Sequence, residues 1–198
     1  MPFGEPKVAG GRRGGGVEPV VINYCRHIDR NKVQFDFLVD ADSTRVPEEE
    51  IKALGGRVFR IPPYQHPLRY RKELVRLFRE EHWPIVHSHI NTLSVFPLSA
   101  AKKAGVSVRI AHSHSTMGKG EFAKNLMKLA LRPLSNLYPT ERFACSEYAG
   151  KWLFGRNAEF TVIPNAIELE KFHFDPVIRQ ETRRELGIAD GMFLIGHV

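Results

Sequence analysis

Two short triplets carry the densest chemistry in this chain. His87-Ser88-His89 and His112-Ser113-His114 each follow an apolar, strand-like run. Alternate residues of a strand share a face, so each triplet sets two imidazoles on one side and a serine on the other. In a parallel sheet with crossover helices, ligands bind beyond the carboxyl ends of the strands. Up to four imidazoles could therefore line one crevice. Three readings are open: hydrogen bonding to an anionic or polyhydroxylated substrate, a metal centre, since imidazole suits zinc, and structural capping of strand or helix ends. A hydrolytic metal centre usually adds carboxylates close by. None follows either triplet, so no metal is expected.

Other segments offer weaker chemistry. Gly14-Gly15-Gly16 precede the first helix, where glycine lets backbone N–H groups approach a ligand and the helix end adds partial positive charge. The run is neither GxGxxG nor GxxxxGK[ST], and a flexible N-terminal loop reads equally well. Lys119, Lys124, Lys128 and Arg132 punctuate an apolar-rich helix, which suits either an anionic bilayer surface or a core helix with a solvated basic edge. Ser146-Glu147 marks a helix N-cap, and no GxSxG elbow surrounds the serine. Asn165, after Pro164 at a strand end, reads as a turn residue.

The elements that must hold these residues alternate strand and helix periods. Helices are expected over 17–28, 48–54, 70–81, 93–104, 122–137, 147–154 and 177–186. Strands are expected over 34–39, 57–61, 85–87, 108–111, 143–145, 160–163 and 192–198. That alternation predicts an α/β fold, a doubly wound parallel sheet with helices on both faces. The place of an opening strand is taken by the weak run Pro6-Lys7-Val8-Ala9-Gly10-Gly11. A formal charge of +7 favours anionic partners. No RNA-binding aromatic signature, helix-turn-helix or zinc-finger spacing is present, so nucleic acid is not expected. The N-terminus lacks the apolar core of a signal peptide, and no apolar run is long enough to span a membrane. Cys25 and Cys145, far apart and without CxxC spacing, read as reduced thiols of a cytoplasmic protein.

The order and spacing of these pieces resemble the N-terminal half of family-four, nucleotide-sugar-dependent glycosyltransferases, especially the branch that builds bacterial capsule and exopolysaccharide. The resemblance runs from about Arg13 to Val198. It is carried by Gly15-Gly16-Val17-Glu18 with Asn23 and Ile28-Asp29, by Asp36-Phe37-Leu38-Val39, by Ile85-Val86-His87-Ser88-His89 and by Ala111-His112-Ser113-His114. Phe143-Ala144-Cys145-Ser146-Glu147 and Val162-Ile163-Pro164-Asn165-Ala166-Ile167-Glu168 with Phe172 complete it. It implies one half of a GT-B enzyme: two Rossmann-like domains facing across a cleft, with retention of anomeric configuration and no required metal or other cofactor. By resemblance, Gly15 and Gly16 approach the donor phosphates, His112 or His114 contacts the transferred sugar, and His89 and Asn91 face the acceptor. The implied partners are a nucleotide-sugar donor, a glycan or lipid-linked acceptor and the inner face of the plasma membrane.

On this reading residues 1–16 are a ragged glycine-rich N-terminus and 17–175 an acceptor-binding domain. Residues 176–198 are a linker helix and the first strand of a donor-binding domain that the chain does not continue. A chain without that domain is expected to be inactive alone, and its terminal strand to be poorly packed. Two other readings compete: a non-catalytic module that binds glycan or membrane surface, and a metal-dependent hydrolase built on the histidine pairs.

Overall fold

A computed structural model describes residues 17–44, 46–114 and 122–195. The chain divides into two compact units, residues 1–166 and 167–198.

In the first unit every strand pairing is parallel. β1 (Phe37–Asp40) pairs with β2 (Val58–Ile61) in a two-stranded sheet, and β3 (Ile85–Ser88), β4 (Val108–Ser113), β5 (Glu141–Ala144) and β6 (Thr161–Val162) pair in that order in a separate four-stranded sheet, where the sequence predicted one. Parallel neighbours need crossovers, and helices supply them. α1 (Val17–His27) precedes β1, and α2 (Glu48–Ala53) links β1 to β2. α3 (Pro67–Glu81) links β2 to β3, α4 (Val95–Ala104) links β3 to β4, α5 (Phe122–Leu131) links β4 to β5, and α6 (Glu147–Phe154) links β5 to β6.

The termini of these helices follow from their sequence. Pro67 opens α3, where its missing N–H costs nothing. Gly105 closes α4 in the left-handed region at φ 88°. The Ser146 hydroxyl accepts from the Ala149 N–H at 3.2 Å and caps α6. The long helix expected over 122–137 breaks instead into α5 and a 3-10 turn, Arg132–Asn136. Pro133 is the physical reason, since it lacks the N–H that would continue the ladder.

One core packs Tyr70, Leu74, Leu77 and Phe78 of α3 and Leu98 and Ala101 of α4 against Leu38 and Val86 of the strands. A second packs Val17, Val21 and Ile22 of α1 on Phe37 and Ile51. The residues just before β1 and β3 are tied by a polar knot. The Asp36 carboxylate accepts from Trp83 Nε1 at 2.8 Å, from the Arg57 backbone N–H at 3.0 Å and from Arg57 Nη2 at 2.5 Å. Arg57 also pairs with Glu81 at 2.7 Å. Gly150 of α6 lies against Phe160, so closely that a Cβ there would stand 2.2 Å from the ring.

The second unit holds a 3-10 turn, Leu169–Phe172, and α7 (Pro176–Glu185), capped by Asp175 through the Val177 and Ile178 N–H groups at 2.8 and 3.1 Å. Arg183 donates to the Ala189 and Met192 carbonyls. Met192–Ile195, expected to begin a strand, has no ladder partner among the described residues and leaves Phe193 87% exposed. A strand needs a neighbour to satisfy its backbone, and an apolar run alone does not provide one. The strand expected over 6–11 lies outside the described residues.

Candidate functional site

β3 and β4 run side by side with His87 opposite Ile110 and Ser88 opposite Ala111. Carried one residue further, this register sets His89 beside His112 on the same face of the sheet. All four imidazoles of the two triplets consequently meet. His87 Nε2 and His112 Nδ1 lie 3.1 Å apart, and His89 Nδ1 and His114 Nε2 lie 2.9 Å apart. The serines turn to the opposite face: Ser88 donates to Ser94 Oγ at 2.9 Å and Ser113 to the Ala149 carbonyl at 3.0 Å. The triplets thus divide their labour by strand alternation, with imidazoles on one side and structural hydroxyls on the other.

His87, His89 and His112 line a cleft of about 440 Å³ between the sheet and α1, closed on the helix side by Val21, Tyr24 and Ile28. α1 is fastened across the carboxyl edge of the sheet. The Tyr24 hydroxyl donates to the Pro164 carbonyl at 2.8 Å, and Asn23 Nδ2 donates to the Ala166 carbonyl at 3.3 Å. The same loop brings Asn165 Oδ1 to 3.3 Å from His114 Nδ1.

That contact orders the protons. An amide oxygen only accepts, so His114 Nδ1 carries the hydrogen, and a neutral imidazole then has a bare Nε2. His114 Nε2 accepts from His89 Nδ1–H, which leaves the lone pair of His89 on Nε2. The assignment needs neutral rings, and burial supplies the reason. Desolvation, joined by repulsion from neighbouring imidazoles, holds His87 and His89 well below the usual histidine range. His112 is pushed down to about 3 by burial and by His114. His114 is lowered by burial, with the Asn165 hydrogen bond opposing.

The expected site residues separate clearly. His89 and His112 are buried, and His114, one pleat nearer the carboxyl edge than His112, is half-buried. Asn91 is buried in the loop after β3 with a left-handed backbone, φ 55°, which asparagine tolerates better than most residues. Gly15, Gly16 and Lys119 lie outside the described residues, and Lys124 is placed only as a backbone position of α5. Lys128 is half-buried and Arg132 sets its guanidinium over Trp152 at 5.7 Å; neither lines the cleft. Sequence reasoning missed Asn165 as a site residue, and its signal was thin: a lone asparagine after a proline, 51 residues from the histidine it touches. Asn23 and Tyr24 hold that loop; Asn23 is among the residues that carry the family resemblance, and Tyr24 gave no signal beyond its place on an amphipathic helix.

Three comparisons bear on this arrangement. The chain is similar to EpsF of Bacillus subtilis (strain 168), a protein named as a glycosyltransferase, at 36% identity over 200 residues, 96% of this chain and 52% of that protein. It is similar in structure to Anabaena Alr3699/HepE, solved in complex with UDP-glucose, with a TM-score of 0.65 and 18% identity over 96% of this chain and 49% of the other. The chain spans about half the length of each. The likeness to HepE supports the fold, the Rossmann-like half of a GT-B architecture. Residues 14–171 match the description of Glycosyltransferase Family 4. A match over that share of the chain, on strands and loops that bring the histidines together, establishes membership: the chain belongs to Glycosyltransferase Family 4.

Proposed function

We propose that this chain is the acceptor-side half of a retaining glycosyltransferase. The enzyme would move a sugar from a nucleotide-sugar donor to a glycan or lipid-linked acceptor in bacterial surface polysaccharide synthesis. The observation that carries the reading is the histidine wall at the carboxyl edge of β3 and β4, where half-buried His114 stands between His89 and Asn165. UDP-glucose in the HepE complex and the name of EpsF support a nucleotide-sugar donor and polysaccharide chemistry.

Of His112 and His114, the second is the sugar contact on this reading, because His112 is buried one pleat deeper. The 3.3 Å contact to Asn165 is the longest in the histidine network, and a substrate hydroxyl can replace it. His114 Nδ1–H would then donate to the transferred sugar, while His89 holds the ring from behind. His89 and Asn91 support the acceptor side. Gly15 and Gly16 approach the donor phosphates. No residue here requires a metal or other cofactor for transfer.

A membrane-surface role is favoured by one further observation. Leu126, Leu129, Leu134 and Leu137, on α5 and the 3-10 turn after it, are exposed beside Lys128 and Arg132. A basic, apolar stretch of this kind suits the anionic inner leaflet of the plasma membrane, and the sequence adds Lys119 and Lys124 to it. Flotation with anionic vesicles should show binding that weakens as salt rises; equal binding at high salt, or none, contradicts it.

For the transferase reading, purified protein is incubated with labelled nucleotide sugars and lipid-linked acceptors. The 198-residue chain alone is expected to give no turnover, because its matched relatives are about twice as long. A polypeptide that adds a second Rossmann-like domain is expected to transfer with retained configuration and to lose most activity in His114→Ala. Sugar transfer by the 198-residue chain, an inverted product, or full activity in His114→Ala would contradict the reading.

A further inference from the structure

The histidine cluster has a capacity that glycosyl transfer does not use. Ring nitrogens of His87, His89 and His112 all lie within 4.8 Å of one another, the one such group of potential metal ligands among the described residues. A tetrahedral zinc ion with Zn–N bonds of about 2.0–2.1 Å holds its nitrogens about 3.3 Å apart. His87 Nε2 and His112 Nδ1, at 3.1 Å, already stand at that separation, so small ring rotations would aim both lone pairs at one ion. His112 Nε2 adds a second observation: it is buried and has no hydrogen-bond partner among the described residues. A buried polar atom without a partner costs free energy; an ion bound through Nε2 in place of Nδ1 would give it one, so Nε2 is the alternative ligand atom of this ring.

We propose that His87, His89 and His112 form a binding site for one divalent transition-metal ion of the zinc class, with His114 or water in the fourth position. The donors are all imidazole, which suits zinc, copper, nickel and cobalt, and no carboxylate lines the cleft to attract magnesium or calcium. Two of the ligands lie on β3 and its following loop and the third on β4, so the sheet register fixes their backbones before the ion arrives. The cleft of about 440 Å³ gives the ion an entry path. Three neutral ligands leave the ion its double positive charge, so the open position would favour an anion or hydroxide. The proposal stands on the geometry of the histidines, and it shares His89 and His114 with the transferase reading.

The test uses the tag-free chain, stripped with chelator. Zinc binding is measured by calorimetry and cobalt(II) binding by visible absorption. One ion per chain is expected, with the intense visible bands of tetrahedral cobalt. His112→Gln and His87→Gln should each weaken binding at least a hundredfold, while His66→Gln, on an exposed residue before α3, should leave it unchanged. Circular dichroism checks the fold of each variant. If neither cluster variant folds, the wild-type cobalt spectrum decides: tetrahedral bands support the site, and a pale octahedral spectrum overturns it. Zinc binding no tighter in the wild type than in folded His112→Gln also overturns it.

Discussion

Replacing Asp36 should destabilise the domain by more than any surface charge in it. The Asp36 side chain is 9% exposed and joins the segments that lead into β1 and β3. Arg57, by contrast, leaves 56% of its side chain in water. Its ion pair is therefore screened and contributes at most about 1 kcal/mol. The larger part comes from the Trp83 Nε1–H and the Arg57 backbone N–H, which Asp36→Ala would leave without their acceptor. Both hydrogen bonds are part-buried, so each donor left unpaired costs toward the lower end of about 1–3 kcal/mol, and Asp36→Ala should cost about 2–4 kcal/mol. That corresponds to a fall in Tm of roughly 5–15 °C for a domain of this size. Asp36→Asn keeps an acceptor oxygen and should cost about half as much.

The carboxylate also sets a pH signature. Burial alone would raise the Asp36 pKa, but hydrogen bonds from Arg57 and Trp83 outweigh it and hold the group below the ordinary aspartate value. The stabilisation is therefore complete above the ordinary aspartate range and is lost as pH falls through the lower folded value. Urea unfolding at pH 7 followed by tryptophan fluorescence and circular dichroism measures the loss, with a double-mutant cycle against Trp83→Phe. A coupling of about 1 kcal/mol is expected. An Asp36→Ala protein within 0.5 kcal/mol of wild type, or a coupling near zero, would refute the reasoning.

Three further outcomes follow from particular contacts. Gly150→Ala, which raises helix propensity, should nonetheless destabilise by about 1–3 kcal/mol because the new methyl strikes Phe160, and Phe160→Leu should recover part of the loss. A stabilised Gly150→Ala protein in thermal melts would exclude that contact. Burial, with Asp42 nearby, raises the Asp40 carboxyl to about 6, so its ionisation costs stability as pH climbs from about 4 to 6. Asp40→Asn should flatten that limb of the stability–pH curve, and an unchanged limb counts against the assignment. Finally, Cys25 is buried, with its thiol pushed up to about 11 by desolvation, so a thiol reagent at pH 8 should label half-buried Cys145 first. Labelling in the reverse order, read by mass spectrometry, would contradict it.

Much of the frame was legible because periodicity is local. The 3.6-residue pattern of Tyr70, Leu74, Leu77 and Phe78 located α3, and strand alternation placed His87, His89, His112 and His114 on one face before any pairing was known. What escaped depends on the chain folding back. Asn165 reaches His114 across 51 residues and Trp83 reaches Asp36 across 47, distances at which sequence pattern carries no signal. The choice between His112 and His114 turns on one pleat of depth, which only the sheet reveals. Met192–Ile195 shows the opposite failure: its apolar run looks like a strand, but no ladder among the described residues receives it, in keeping only with the poor packing expected of it.

On the transferase reading the carboxyl-edge histidines face a sugar. This is tested most directly by imidazole NMR on the 22.6 kDa chain, titrated with a short-chain polyprenyl diphosphate-linked monosaccharide. Before addition, His114 should show the Nδ1–H tautomer that Asn165 imposes. On addition, His114 and His89 should shift together with one saturation curve, while exposed His66 and His173 stay fixed. Shifts confined to His66 and His173, or an Nε2–H tautomer at His114 that the ligand leaves untouched, would contradict the account.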